Sequence, residues 1–357
     1  TESGMYISFD DGTSWKPFQL NLPVVPVTDL AIKNDDLIVA TQGRSFWVLD
    51  DLTPLHQLND DIAKRDFWLF QPRPTYRLRG SVAEHPVNAG KNAPNGVLFR
   101  YTFKTQPDSN AVVLKILEQS GQLIKSYKPK AKEKRDRLPI KPGMNRFVWN
   151  MRYPDAEKFP KMILWGGGTA GPKAVPGTYE ARLVVGKDSV TTSFEIRKDP
   201  RVSATLADLQ AQFDFLISVR DKLSETHVAI KQIREIRKQV NEIIAKAKGK
   251  HGGTEIEKNG KALVDHITKI ERALYQTKNQ SRQDPLNFPI KLNNRLSALA
   301  SVVSAGDFRP TAQAIAVRDE LTAQIDAELA KLHDIVATEL PAFNRLVHDS
   351  GVPAVVI

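Results

Sequence analysis

The sequence predicts a multidomain chain in which β-structure comes first and α-helix follows. Two observations carry this. Apolar residues alternate with a period of two in short runs up to about residue 198, and from residue 199 onward they recur every three to four positions. A third concerns size: 357 residues is long enough for two or three domains.

Residues 1–60 read as short strands with turn signals between them: Met5-Tyr6-Ile7, Lys16 to Leu20, Val27 to Ile32, Leu37 to Thr41 and Phe46 to Leu49. Pro23 and Pro26 mark a link, and Lys33-Asn34-Asp35-Asp36 a turn. Such tight spacing suits a propeller or a sandwich. Within this stretch Ser8, Asp10, Gly12 and Trp15 occupy every specified position of the pattern Ser/Thr-x-Asp-x-Gly-x-x-Trp. An aspartate here can accept hydrogen bonds from turn amides, a glycine supplies a positive φ, and the tryptophan packs between strands.

Residues 61–95 read as a connector. Phe67-Trp68-Leu69-Phe70 is apolar enough to dock between domains, and Pro72, Pro74, Pro86 and the 90–96 stretch disfavour regular structure. Residues 96–198 alternate again, as in Val97, Phe99, Tyr101 and Phe103, then Val112, Leu114 and Ile116, then Phe147, Trp149 and Met151. Tyr179 to Val185 and Thr192 to Ile196 complete at least five strands, which suits an immunoglobulin-like β-sandwich.

Asp199-Pro200 marks the change of period. Leu209, Leu216, Leu223 and Ile230 recur every seven residues, and Ile233, Ile236, Val240 and Ile243 continue the stripe into one helix of about forty residues. Gly249, Gly252 and Gly253 end it. Leu263 to Leu274, Leu292 to Leu299 and Leu321 to Ile335 mark three more helices, so residues 199–357 predict an antiparallel four-helix bundle. Pro341 is expected to kink or end the fourth, and the apolar tail from Val352 to Ile357 to dock.

The four residues Ser8, Asp10, Gly12 and Trp15 resemble the Asp-box of BNR-type β-propellers, a group that includes sialidases and the sortilin luminal domain. The segment from Asp36 to Leu52 is similar to the closing blade of large bacterial propellers of that kind, often labelled glycosyl hydrolases. The strand Asn145 to Asn150 and the Pro176 to Tyr179 turn resemble immunoglobulin-like and fibronectin type III folds. The resemblance implies that residues 1–60 are the last one to two blades of a propeller whose body lies upstream. It implies a secreted, cell-surface or periplasmic location, and a glycan or protein ligand held by that body. It makes the Asp-box residues structural, since such boxes sit on outer turns.

The chemistry in this segment is sparse. Asp10-Asp11 and Asp50-Asp51 are adjacent pairs, and neighbours on a strand point to opposite faces, so neither makes a glycosidase dyad. Arg44, Phe46 and Trp47 are the candidate ligand-facing residues, an arginine beside aromatics being suited to glycan or carboxylate contact. Trp165 to Lys173 is glycine-rich but lacks the Gly-Lys-Ser/Thr ending of a phosphate loop, and reads as a flexible loop. His56, His85, His227, His251, His266, His333 and His348 show no metal spacing, and those on helices read as surface or interface residues. There are no cysteines, so disulfides and thiolate sites are excluded. No catalytic residue, metal or cofactor is assigned.

Part of the net charge of +10 sits in two runs, Lys128 to Arg137 and Lys246 to Lys250. Neither is interleaved with aromatics, which argues against nucleic acid and for solvated surface. No stretch reaches the roughly 20 apolar residues that span a bilayer.

Overall fold

The computed structural model describes residues 1–78, 90 and 93–351. His85, Pro86 and the tail expected to dock lie outside these. The described chain is mixed: sheets up to residue 198, helices thereafter. It divides into two units, 1–151 with 176–199, and 152–175 with 200–357.

The first unit opens with a hairpin of β1 (Tyr6–Ile7) and β2 (Lys16–Pro17), then an antiparallel meander of β3 (Val27–Lys33), β4 (Asp36–Thr41) and β5 (Phe46–Leu49). These are two- and three-stranded sheets, whereas four-stranded blades were expected. Two short helices follow, α1 (Thr53–Gln57) and α2 (Asp60–Lys64). The connector expected over 61–95 instead supplies strands. β6 (Phe67–Leu69) pairs antiparallel with β8 (Val97–Phe103), and β7 (Thr75–Arg77) pairs parallel with the last strand of the unit. Leu69 and Phe70 are almost wholly buried, and the prolines Pro72 and Pro74 sit between the two strands, where no ladder bond is needed.

The remaining strands are β9 (Val112–Glu118), β10 (Leu123–Tyr127), β11 (Gly143–Trp149), β12 (Gly177–Val185) and β13 (Asp188–Lys198). They build a five-stranded sheet, β10-β9-β12-β13-β7, and a three-stranded sheet, β11-β8-β6. The two lie face to face because each strand turns its alternate apolar residues inward. Phe99 of β8 meets Phe194 of β13 edge-on at 5.1 Å, and Trp149 of β11 meets Phe194 at 5.9 Å and Tyr179 of β12 at 6.1 Å. Trp149 is wholly buried, as are Phe99 and Tyr101. The Tyr101 hydroxyl donates to the Pro139 carbonyl at 2.7 Å, and burial pushes its pKa upward.

Two ion pairs fasten the meander to these larger sheets. Arg73 reaches Asp36 at 2.6 Å, and Arg100 reaches the buried Asp51 at 3.3 Å while also donating to the Asp50 carbonyl at 3.0 Å. Asp51 has a left-handed backbone, φ 67°, and its carboxylate accepts from the Thr53 hydroxyl at 2.5 Å. The Asp50-Asp51 pair is therefore a structural corner.

In the second unit, α3 (Leu206–Ala247) begins in a capping box between Thr205 and Asp208. The stripe Leu209, Leu216, Leu223 and Ile230 is buried along it. α4 (Gly253–Leu274), α5 (Leu292–Val303) and α6 (Ala312–Ala337) pack against α3 and one another. The fourth helix ends at Ala337, short of the expected stop at Pro341, and a further helix, α7 (Glu339–Asp349), follows it. The break falls at Thr338, and Pro341 sits in the first turn of α7, where a missing N–H leaves nothing unsatisfied.

Residues 152–175, expected to lie within the sandwich region, group with the helices. They form a strap whose backbone is bonded by helix side chains. Ser224 accepts from the Glu157 N–H at 3.1 Å, Tyr275 from Ile163 at 3.1 Å and Asn294 from Trp165 at 2.8 Å. In return Asn294 donates to the Trp165 carbonyl at 2.6 Å, Ser297 to Gly168 at 2.8 Å and Arg220 to Pro154 at 3.0 Å. The glycine-rich run is thus held rather than loose. At Gly167 a Cβ would fall 2.3 Å from the Ser297 hydroxyl and 2.8 Å from a backbone nitrogen, so only glycine fits. Phe159 seats the strap against Tyr275 at 4.9 Å, with the Arg234 guanidinium over its other side at 4.6 Å. Arg234 and Arg237 both engage the buried Glu271.

His227, expected at a surface or interface, is wholly buried beneath this strap. Its Nδ1 lies 2.6 Å from the Glu157 carbonyl and its Nε2 3.2 Å from the Asn293 amide nitrogen, which suits a neutral ring donating at Nδ1 and accepting at Nε2. Burial holds its pKa below the ordinary value.

Two outcomes follow for stability. Asp51→Ala strips a mostly buried arginine of its carboxylate and should cost about 2–3 kcal/mol, read by urea denaturation followed through tryptophan fluorescence. For His227, the unfolded chain takes up a proton below about pH 6.5 that the folded ring refuses. Its contribution is therefore full above that pH and is lost as acid approaches the lowered folded value. His227→Gln should flatten the slope of stability below about pH 6.5; an unchanged slope would remove His227 as its origin.

Candidate functional site

The Asp-box residues come together in one turn. Asp10 accepts from the Ser14 N–H at 2.8 Å, the Ser14 hydroxyl at 2.5 Å and the Ser8 hydroxyl at 2.8 Å. Ser8 in turn accepts from the Gly12 N–H at 2.8 Å, and the Trp15 indole donates to the Gly12 carbonyl at 3.1 Å. Gly12 has φ 87°, the left-handed conformation the turn needs. These donors, the Ser14 hydroxyl foremost, lower the Asp10 pKa to about 2. A carboxylate so held is an acceptor at the heart of a turn and has no proton to give at neutral pH. Trp15, expected to pack between strands or blades, is instead 62% exposed.

The meander is where the surface departs from a closed fold. Its register places Leu30, Val39 and Trp47 in one cross-strand row and Ile32, Leu37 and Leu49 in the next, all on one face. The opposite face carries Ala31, Ile38 and Val48 as its middle row, flanked by Asp29, Ala40 and Phe46 on one side and by Lys33 and Asp36 on the other. The first face is apolar along its length, and the second has an apolar centre edged by charged residues. On the first, Leu30 and Ile32 are 54% and 66% exposed, and on the second Phe46 and Val48 are 75% and 56% exposed.

The first face forms the floor of an open groove of about 840 Å³. The hairpin contributes Tyr6, Phe9 and Trp15 to its walls, and the segment at α1 contributes Leu52, Leu55 and His56. Among the described residues, no carboxylate and no arginine lines it.

Arg44, Phe46 and Trp47 do not converge. Phe46 and Trp47 are successive strand residues and point to opposite faces, and Arg44 lies in the β4–β5 turn with its carbonyl accepting from the Trp47 indole at 2.9 Å. The groove was missed in the sequence because it is assembled from two sheets and a short helix. Its signal lies in the continuous apolar runs Leu37 to Ala40 and Phe46 to Leu49, which put apolar residues on both faces. Among the described residues, no cluster of three or more His, Asp or Glu is placed to hold a metal, and no helix is long and apolar enough to cross a membrane.

No family of known proteins matches the chain, and no curated protein does. Among solved structures, CopC from Methylosinus trichosporium OB3b aligns over 30% of this chain and 81% of its own, with 13% identity and a TM-score of 0.18. A score that low carries no argument about fold or activity.

Replacing Asp10 tests the turn directly. Asp10→Ala leaves the Ser14 N–H without its acceptor, and amide exchange across residues 8–15 should accelerate while the larger sheets keep their protection. In the parent chain Asp10 stays ionised down to about pH 2, whereas an unfolded aspartate protonates near pH 3.9. Its support is therefore full above about pH 4 and lost as pH falls through about 2, which exchange rates measured across that window should follow.

Proposed function

We propose that this chain is the C-terminal part of a BNR-type β-propeller protein working outside the cytoplasm. Residues 1–60 are the last one to two blades. The strands β6 to β13 form an immunoglobulin-like sandwich, and the helices, with residues 152–175, form a bracing bundle. Glycan binding or hydrolysis belongs to the propeller body, and this segment completes and supports it.

One observation carries the reading: the β3–β5 meander exposes large apolar residues on both of its faces, Leu30 and Ile32 on one and Phe46 and Val48 on the other. A sheet covered on one side alternates apolar with polar residues, and one covered on both sides does not. Blades of a propeller pack against neighbours on each side. Covering Leu30, Ile32, Phe46 and Val48 would contribute roughly 1.5–3 kcal/mol each. The Asp-box turn is consistent with the same assignment. A groove lined by aromatic and aliphatic residues without a carboxylate favours packing, or capture of an apolar peptide segment as in a sortilin-like protein, over hydrolysis at this place.

Leu30→Glu and Phe46→Glu separate these states. In the isolated chain both side chains face water, so stability should change by less than about 0.5 kcal/mol, and binding of a hydrophobic dye should fall. In the native full-length protein, defined by intact mass and N-terminal sequencing, the same charges would be buried and should cost at least about 2–4 kcal/mol. Small effects in both would show that the faces meet no neighbouring sheet. Turnover of an oligosaccharide panel by the full-length protein, abolished on replacing paired acids in its propeller body, tests the hydrolytic part.

A further inference from the structure

We propose that the excursion between β10 and β11, residues 128–137, is a docking surface for linear polyphosphate, a flexible chain of successive phosphates recognised through charge alone. Six cations fall within these ten residues: Lys128, Lys130, Lys132, Lys134, Arg135 and Arg137, all exposed. Two acids accompany them, and one is already engaged. Asp136 is bound by Lys125 at 3.0 Å, both partly buried, which leaves Glu133 as the exposed acid of the segment. Among the described residues Lys128, Lys130, Lys132 and Lys134 make no ion pair.

The backbone carrying these charges is pinned. Tyr127 and Leu138 are buried at its two ends. The Leu138 N–H donates to the Lys128 carbonyl at 3.1 Å, closing the excursion, and the Arg137 guanidinium donates to the Ala131 carbonyl at 2.9 Å. A single 3-10 turn, Lys134–Asp136, shapes the tip. The Lys130 ammonium rests on the Asn110 side chain at 3.2 Å. A disordered basic tail could spread its charges to relieve repulsion. A pinned one cannot spread them, and so keeps a concentrated positive potential.

The choice of partner follows from what is missing around the cations. Residues 128–142 contain no aromatic, so there is no platform for stacking bases. Their larger apolar residues are Leu138, buried, and Ile140, half-buried, so the excursion offers no apolar wedge to accompany charge into a lipid surface. What remains is a set of ammonium and guanidinium groups suited to successive anionic groups of one chain.

The test uses the full chain and fluorescent inorganic polyphosphate. Binding should weaken steeply as salt rises, with log K falling linearly against log salt. The triple variant K130E/K132E/K134E should bind at least about tenfold more weakly, about 1.4 kcal/mol. The equal charge change K246E/K248E/K250E in the helical unit should stay within about twofold of the parent, and K130Q/K132Q/K134Q should fall between. Circular dichroism and melting temperature identify any variant that fails to fold, and the glutamine set then decides. Equal losses in the two glutamate variants would reduce the effect to net charge. Absence of polyphosphate binding, or preferential binding to phosphatidylglycerol vesicles at the same salt, would overturn the assignment.

Discussion

Every apolar strand residue must find cover on the face to which it points, and this single requirement separates the parts of the molecule. On the facing sides of the larger sheets it is met internally. β8 buries Val97, Phe99, Tyr101 and Phe103 and leaves the residues between them partly open, so one facing sheet suffices. The helices meet it with one stripe each. The meander does not meet it, because its rows of Leu30, Val39 and Trp47 and of Ala31, Ile38 and Val48 look in opposite directions. Cover on one side alone would still leave the other wet.

That difference explains what holds the meander in place. Among its apolar residues Val39 is buried, and Leu52 just beyond it, while much of the rest is open. Its attachment instead runs through polar groups at the strand ends: Asp36 to Arg73, and Asp51 to Arg100. Such contacts fix orientation with little apolar burial, leaving two faces available without loosening the strand register. The same economy recurs in the Asp-box hairpin, where Asp10 organises a turn through its own oxygens rather than through a core. Carboxylates in this chain act mostly in this way. Asp208 caps α3, and Glu271 joins two arginines on its neighbour.

What was legible in the sequence was what periodicity encodes. The alternation in β8, β9 and β12 gave their inward residues, and the seven-residue spacing from Leu209 to Ile230 gave the buried stripe of α3, because both arise from local backbone geometry. The Asp-box turn was legible because all its bonds close within seven residues. The strap was not. Its extended backbone is bonded by side chains of Ser224, Tyr275, Asn294 and Ser297, up to 129 positions away in the chain. Nothing in the run Trp165 to Lys173 distinguishes a held glycine from a mobile one. His227 was hidden for the same reason, since its burial is created by residues 152–175 and not by its position on α3. β6 and β7 were obscured by the prolines between them, which a chain changing sheets tolerates and a continuous strand would not.

The strap also bears on how a helical unit with a 42-residue helix keeps one arrangement. Apolar stripes specify that helices pack but leave sliding and rotation poorly defined. Side-chain bonds to a fixed backbone do define them. Ser224, His227 and Arg234 on α3, Tyr275 following α4, and Asn294 and Ser297 on α5 each must meet a particular carbonyl, amide or ring of residues 154–168. A shift of α5 by one turn along α3 would leave buried strap groups unpaired, at a cost of about 1–3 kcal/mol for each. The apolar stripes thus supply most of the affinity between helices, and the strap selects the register.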